Sequence, residues 1–137
     1  MELFTAENPP ITLNDIQEFE TAKGLTLPED YKAHMLQYNG ATVESIEVYF
    51  GVPDDGINFS YFHPLKYGDS ILVDTRDYLP EKHITIGCTS TGYLAMSLAE
   101  DSYGSIYAYY SEAELTWLAG SFTAFISGLT DYADEEE

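Results

Sequence analysis

The stretch GLTLPEDYKAHMLQYNG, residues 24–40, carries both the start and the stop signals of a helix. Pro28 suits the first helical position because it lacks the N–H that would be unpaired there. Glu29 and Asp30 follow in the first turn, where carboxylates meet the positive end of the helix dipole. Asn39 and Gly40 form a stop signal, because glycine adopts a positive φ without strain. We therefore predict a helix over most of this stretch.

The same stretch contains the residue types of an active site, yet each has a structural reason to be there. Tyr31, His34, Met35 and Tyr38 recur at positions i, i+3, i+4 and i+7, which places them on one apolar helix face. A histidine on such a face is interpreted as a core or boundary residue rather than as a ligand. We conclude that the stretch is a scaffold and not a catalytic site.

The rest of the chain predicts another helix before this one and strands after it. The first helix runs from about Leu13 to Lys23, with Thr12 or Asn14 as its cap and Gly24 at its end. Alternating apolar and polar residues predict strands at about 45–50, 57–62, 83–86, 93–98 and 105–110. The short loops at 89–92 and 101–104 indicate antiparallel hairpins.

Two further helical segments are predicted in the second half of the chain. A short one begins near Asp69 and ends near Leu79, and a longer one runs from about Glu112 to Leu129, capped by Ser111. The chain therefore predicts a fold of the α+β class. In it an antiparallel sheet has its helices packed mainly on one face.

Charge is the outstanding bulk property. The chain has 24 acids against 5 bases, a formal net charge of −19. Such a surface repels nucleic acid and anionic membranes, so neither is expected as a partner. It favours a basic protein partner, although acidity can equally serve solubility. Five of the acids lie in residues 131–137, so the remaining residues still carry 19 acids against the 5 bases.

Length and cysteine content set the remaining bounds. A chain of 137 residues suits one domain, and its single cysteine, Cys88, excludes an internal disulfide. The N-terminus has no signal-peptide pattern, and no apolar run reaches the roughly 20 residues of a membrane span. We therefore expect a cytoplasmic protein.

Three motifs, in this order, resemble the SUKH superfamily, the Smi/Knr-type domain. The first is the Leu-Pro start and Tyr-Asn-Gly end of the quoted helix, the second is LPEKHITIG (79–87), and the third is LAGSFTAFISGL (118–129). The positions that carry the resemblance in the first and third motifs are Leu27, Pro28, Tyr31, Tyr38, Asn39, Gly40, Phe122 and Phe125. Ala41 departs from the pattern where a second glycine is usual, as does His34 where a bulky apolar residue is common.

The resemblance implies a single SUKH-like domain over residues 1–130. The acidic tail that follows, 131–137, is predicted to be disordered because of its run of like charges. It also implies a non-catalytic binding domain. Many bacterial members look like immunity proteins that bind and neutralise a polymorphic toxin, often a nuclease. Fungal relatives look like regulatory scaffolds, so a regulatory interaction module with an endogenous partner is the alternative hypothesis.

The sequence contains no specific pattern of a catalytic or metal-binding site. Cys88 and His83 lie five positions apart across a strand and a turn, and nothing aims one at the other. His63 and His83 have no metal-ligand spacing, and the loop acids Asp54 and Asp55 lack the spacing of a calcium loop. We therefore expect no enzyme activity, no cofactor and no metal. A small hydrolase using Cys88 or a metal is the third hypothesis.

Twelve tyrosines are the more suggestive feature of the composition. Tyrosines beside acids suit the recognition of a basic protein, whereas many tyrosines simply pack between helix and sheet. Loop position and chemistry select the candidate partner contacts as Asp54, Asp55, Tyr61, Glu100, Asp101, Tyr103, Tyr107 and Tyr109. The expected protein is a monomer or a weak homodimer that binds a basic toxin domain by covering its surface.

Overall fold

The computed structural model describes most of the chain. The described residues are 4–6, 9–43, 47–51, 56–67, 73, 79, 81–109 and 115–132. The candidate contacts Asp54 and Asp55 and most of the short helical segment predicted from Asp69 lie outside these residues. So do residues 133–137 of the predicted tail.

Helix α1, Leu13–Lys23, has the predicted bounds because its ends are determined locally. The Thr12 hydroxyl accepts a hydrogen bond from the Asp15 N–H at 3.2 Å, and the Asp15 carboxylate accepts one from the Thr12 N–H at 3.0 Å. This reciprocal capping box satisfies two donors at the start of the helix. Gly24 ends the helix at φ 67°, in the left-handed region that glycine adopts without strain.

Helix α2, Glu29–Gln37, begins one residue after Pro28, which stands at the cap position. Its end is fixed by Asn39, which is 1% exposed. The Asn39 amide nitrogen donates to the carbonyls of Pro9 and Lys66, at 2.9 and 2.6 Å, and its oxygen accepts from the Leu65 N–H at 2.8 Å. The Tyr-Asn-Gly turn is therefore a structural joint that ties α2 to two other segments.

The strands of the described residues pair antiparallel throughout. They are β1 (Thr5–Ala6), β2 (Ala41–Thr42), β3 (Val48–Phe50), β4 (Ile57–Phe62), β5 (His83–Thr89), β6 (Tyr93–Ser97), β7 (Ile106–Tyr109), β8 (Thr116–Ala119) and β9 (Leu129–Asp131). Their order is β1-β2-β4-β5-β6-β7-β8, while β3 pairs with both β4 and β9. The predicted α+β fold with an antiparallel sheet is confirmed.

The long closing helix predicted from Glu112 to Leu129 is wrong. Residues 116–131 form β8, then helix α3 (Phe122–Ser127), then β9. Ser121 caps α3 by accepting from the Ala124 N–H at 3.0 Å. The apolar residues of this stretch do recur at helical spacing, but β7 needs a partner on its open edge, and tertiary pairing overrides the local pattern.

The proposed domain boundary at residue 130 falls inside the last strand. Asp131 pairs with Val48 in the register between β9 and β3. Tyr132 follows, with its N–H bonded to the Glu47 carbonyl and its hydroxyl bonded to the Gly51 carbonyl, both at 2.9 Å. The folded domain therefore extends at least to Tyr132.

The sheet has two chemically different faces. Its inner face joins the helices in one core, whose members include Ile16, Leu27, Tyr31, Met35, Ile84, Leu94, Met96, Ile106, Phe122 and Phe125. Its outer face, defined by the cross-strand register, carries Tyr61, Thr85, Cys88, Tyr93, Ala95, Tyr107, Tyr109 and Trp117. The helices pack on the inner face, as predicted for this fold. Within the described residues no helix has the length and apolar character to cross a membrane.

Candidate protein-binding surface

Tyr103 lies where the connection between β6 and β7 meets the loop between α1 and α2. It follows a short 3₁₀ turn, Glu100–Ser102. Its hydroxyl donates to the carbonyl of Thr26 at 2.8 Å, yet the residue remains 44% exposed. This hydrogen bond holds the ring in one place at the surface and joins two segments that are far apart in sequence.

Carboxylates surround this tyrosine. Burial is the largest cause that raises the pKa of the Tyr103 hydroxyl, and the charges of Glu20, Glu29 and Asp30 raise it further while Lys32 lowers it. The neighbouring 3₁₀ turn adds two exposed acids to the same region. We call this region the acidic surface: Glu20, Glu29, Asp30, Glu100, Asp101 and Tyr103.

The acidic surface keeps most of its negative charge. Lys32 is its base, with Nζ at 3.0 Å from Glu29 and 3.7 Å from Glu20. Asp30 has a structural role, because its carboxylate accepts from the Thr123 N–H and hydroxyl at 2.9 and 2.8 Å. The Glu29 side chain is 92% exposed. Carboxylates thus remain at the surface for a partner to meet.

The tyrosines predicted as contacts on the outer face divide into two groups. Tyr61 and Tyr107 are half-buried and reach the surface. Tyr109 is 2% exposed, stacks on Tyr93 with ring centroids 5.4 Å apart, and shares a hydrogen bond with the Thr85 hydroxyl. Tyr109 is therefore a packing residue, and its selection as a partner contact is corrected. The Tyr109 hydroxyl bonds the buried Thr85 side chain two strands away in the sheet, and this contact could not be predicted from the sequence.

The histidine that contacts Cys88 is His63 and not His83, the residue considered from sequence as its partner. The pairing of β4 with β5 brings Nε2 of the buried His63 to 3.3 Å from the Cys88 sulfur. His83 instead places Nδ1 at 2.9 Å from the Glu81 carbonyl oxygen. A hydrogen bond with Cys88 is the largest cause that raises the pKa of Tyr61, to about 12. The thiol thus belongs to a Tyr61–Cys88–His63 cluster on the outer face.

A shallow groove lies between α2 and α3. It has a cavity volume of about 270 Å³ and is lined in part by Asp30, His34, Phe122 and Ile126. The His34 ring lies 4.9 Å from that of Phe122 and 5.2 Å from that of Phe62. Burial lowers the pKa of His34 to about 4, so the ring is neutral near pH 7. His34 is a packed boundary residue, as its place on the apolar helix face predicted.

Trp117 is the surface residue that sequence reasoning missed. It is 60% exposed on β8, opposite Tyr107. The missed signal was the run Thr-Trp-Leu, whose β-branched and aromatic residues favour a strand, followed by Gly120 and the helix cap Ser121. Among the residues the structure describes, no group of three or more His, Cys, Asp or Glu is placed to hold a metal ion.

The fold and its surface define an α+β protein whose distinctive site is an acidic surface with a fixed tyrosine. Residues 10–128 match the family model of the SMI1 / KNR4 family (SUKH-1), and the chain belongs to this family. It is also 43% identical over 56 residues to the uncharacterized protein YobM of Bacillus subtilis (strain 168). That similarity covers 41% of this chain and 27% of the relative. No solved structure matches the chain.

Proposed function

We propose that this chain is a non-catalytic immunity protein that binds and neutralises a cognate toxin, a basic protein of the nuclease type. The observation that carries the proposal is the acidic surface around Tyr103. There a hydrogen bond to Thr26 fixes an exposed aromatic ring among carboxylates. Family membership and the net charge of −19 support it. Such a surface is best suited to binding a basic protein, which is what the immunity role implied by the SUKH resemblance requires.

The mechanism is occlusion, in which no bond is made or broken. A nuclease holds a polyanionic substrate, so its substrate-binding surface carries lysine and arginine. The exposed carboxylates of Glu29, Glu100 and Asp101 offer those cations the charge that phosphates would offer. Tyr103 adds a ring that is already ordered before binding, which lowers the entropy cost of forming the complex. Tyr61 and Tyr107 on the outer face are additional candidate contacts.

Electrostatics would also determine how fast the complex forms. A negative protein attracts a positive one over about one Debye length, so association accelerates at low salt. The acids Asp54 and Asp55 remain candidate contacts on the sequence argument alone. Their contribution is tested by the same measurement.

The test uses a candidate toxin domain of the basic nuclease type, identified by searching the genes around that of this chain and prepared without its catalytic activity. We expect the paired variant Glu100→Gln with Asp101→Asn to slow association about tenfold at low salt and to flatten its salt dependence. The control pair, Glu18→Gln with Asp131→Asn, removes the same charge elsewhere and should change the rate about twofold or less. Equal rates for both pairs would contradict the role of the acidic surface.

The regulatory alternative and the hydrolase hypothesis have their own signatures. Binding to an endogenous housekeeping protein, with no binding to a candidate toxin, would favour the regulatory scaffold. Turnover of a substrate by the purified chain that is lost in Cys88→Ser would establish the hydrolase, with His63 as the histidine near the thiol.

A further inference from the structure

Strand β8 ends the main path of the sheet, and its edge opposite β7 is named the free edge, because no described residue pairs with it there. In the described part of the chain it pairs with β7 alone. Its sequence, Thr-Trp-Leu-Ala, contains neither charge nor proline. Natural edge strands are protected against further pairing by charged residues, proline, bulges, short length or a covering element. Strand β8 is short, with four residues, and its register with β7 shifts between Ile106 and Tyr107, but it has neither of the first two protections. The backbone donors and acceptors on the open side of β8 are thus suited to pair with another strand.

The side chain at the middle of this edge is suited to recognition. Trp117 is the only tryptophan of the chain and is 60% exposed, opposite the half-buried Tyr107. Tryptophan is among the residues most enriched in the hot spots of protein interfaces. A tryptophan on an uncharged free edge combines side-chain contact area with open backbone groups.

The free edge continues into the acidic surface. Gly120, directly after β8, has its carbonyl oxygen at 4.0 Å from the position that a Cβ would take on Gly104, next to Tyr103. Three residues further on, Thr123 donates to the Asp30 carboxylate. The chain that leaves β8 therefore runs along the acidic surface, and one partner could contact both regions.

We propose that β8 is a docking edge for an extended segment of the basic partner. The segment adds a strand beside β8, and its alternate side chains lie over Trp117 on the outer face. Lysine or arginine is favoured there, since their stems pack on an aromatic ring and the net charge of −19 attracts their positive charges. A second copy of this chain is disfavoured as the occupant, because each copy carries a charge of −19.

This inference rests on the proposed function for the identity of the partner, but the edge can be probed separately. The probe is a synthetic octapeptide that alternates lysine and threonine, acetylated and amidated so that its lysines alone carry charge. Spermine is the matched control, because it carries the same number of positive charges and has no backbone amides. The readouts are hydrogen exchange of the amides at residues 116–119 and the fluorescence of Trp117, which no other tryptophan obscures.

We expect the octapeptide to slow exchange at residues 116–119 and to shift the Trp117 emission to shorter wavelength, while spermine does neither. The variant Trp117→Ala should weaken peptide binding about tenfold. The matched control is Leu13→Ala, which removes an apolar side chain of similar exposure, 61%, on α1 and should leave peptide affinity unchanged.

Unchanged exchange at residues 116–119, with both the octapeptide and the cognate toxin, would overturn the inference. If the toxin binds through the acidic surface while β8 exchanges as before, the inference fails and the proposed function stands. If the octapeptide protects β8 but no basic toxin binds, the proposed function fails and the docking edge stands. Protection that rises with the concentration of this chain alone would show self-pairing and would also overturn the inference.

Discussion

The two faces of the sheet are built from the same strands but carry different chemistry. On the inner face Ile84, Met96 and Ile106 stand side by side across three strands, each 0% exposed. On the outer face the neighbouring positions form the row Thr85, Ala95, Tyr107 and Trp117, which passes from fully buried to 60% exposed. The inner face is packed uniformly, whereas burial on the outer face falls off toward the free edge.

This difference separates the residues that make the fold from the residues available to a partner. Burial of apolar side chains between sheet and helices is the main source of stability, so substitutions on the inner face should be costly. Toward the edge of the outer face, substitutions should cost little stability and should affect binding instead. The stability cost of substitution should therefore decrease from the inner face to the exposed edge of the outer face. A residue whose substitution departs from this order would be assigned to the wrong group.

The largest effect is expected at the centre of the inner core. Phe125 is 0% exposed and its ring stacks on that of Phe50 at 5.0 Å, with the ring of Phe62 at 6.2 Å. Phe125→Ala removes most of a buried ring and leaves a cavity, which should lower the free energy of unfolding by about 4 kcal/mol. Urea unfolding followed by circular dichroism measures this. A loss below about 1 kcal/mol would mean that the core collapses to fill the gap.

The second largest change in the free energy of unfolding is expected from the pH dependence of His34, which lies at the boundary of the same core. Because burial lowers the folded-state pKa to about 4 from the ordinary 6.5, the unfolded state binds the proton more readily between these values. The stability contribution is therefore fully present above about pH 6.5 and is lost as pH falls toward 4, by up to about 3 kcal/mol.

The matched variant for this prediction is His34→Phe, which keeps a ring in the same aromatic surroundings and removes the titration. The measurement is the free energy of unfolding of both chains at pH 7 and pH 4.5. Carboxylates titrate in both chains over this pH range. Only the difference between the two chains in the loss of unfolding free energy therefore reports on His34. Equal losses in the two chains would show that the imidazole is not protected from protonation.

A smaller effect is expected at Tyr109 on the covered part of the outer face. Tyr109→Phe removes the hydroxyl that bonds the buried Thr85 side chain, which should cost about 1–2 kcal/mol. Tyr107→Phe, two positions away on the same face, should stay within about 0.5 kcal/mol of the parent chain. Thermal or urea unfolding of the pair distinguishes them. Equal losses of unfolding free energy in the two variants would mean that the buried Tyr109 hydroxyl contributes no more stability than the half-buried Tyr107 hydroxyl.

The smallest effect on stability is expected at the exposed end of the row. Trp117→Ala should change the free energy of unfolding by less than about 0.5 kcal/mol, because its side chain already faces solvent. The measurement is the same urea titration used for Phe125→Ala. A loss above about 1.5 kcal/mol would assign Trp117 to packing and would remove the reason to treat it as a contact.

Elements with local signals could be predicted from sequence, and those fixed by distant contacts could not. Helix α1 begins at a capping box and ends at Gly24, so its bounds follow from a few neighbouring residues. Strand β4 has the predicted bounds, Ile57–Phe62, because its flanks and composition both indicate a strand. By contrast, the apolar spacing of residues 115–129 fits a helix as well as a strand, a turn and a short helix.

Sequence also indicated part of the candidate surface and missed its organisation. The loop acids Glu100 and Asp101 and Tyr103 were predicted, but the contact between Tyr103 and Thr26 joins residues 77 positions apart. The Cys88–His63 pair depends on the register between β4 and β5. That register requires glycine at position 87, since a Cβ there would lie 2.7 Å from the Tyr61 carbonyl oxygen. Such close approaches are set by pairing and carry no local pattern.

The pairing of β9 with β3 has a consequence for synthesis of the chain on the ribosome. Phe50 lies in β3, and its partner in the register, Leu129, is made 79 residues later. At typical rates of translation that interval is roughly 4–16 s, which far exceeds the time in which hairpins form. During this interval β3 has one open edge and its apolar residues lack the cover of β9. Until β9 emerges, this edge of the nascent chain is therefore open to pairing with a strand of another molecule, which is a route to aggregation.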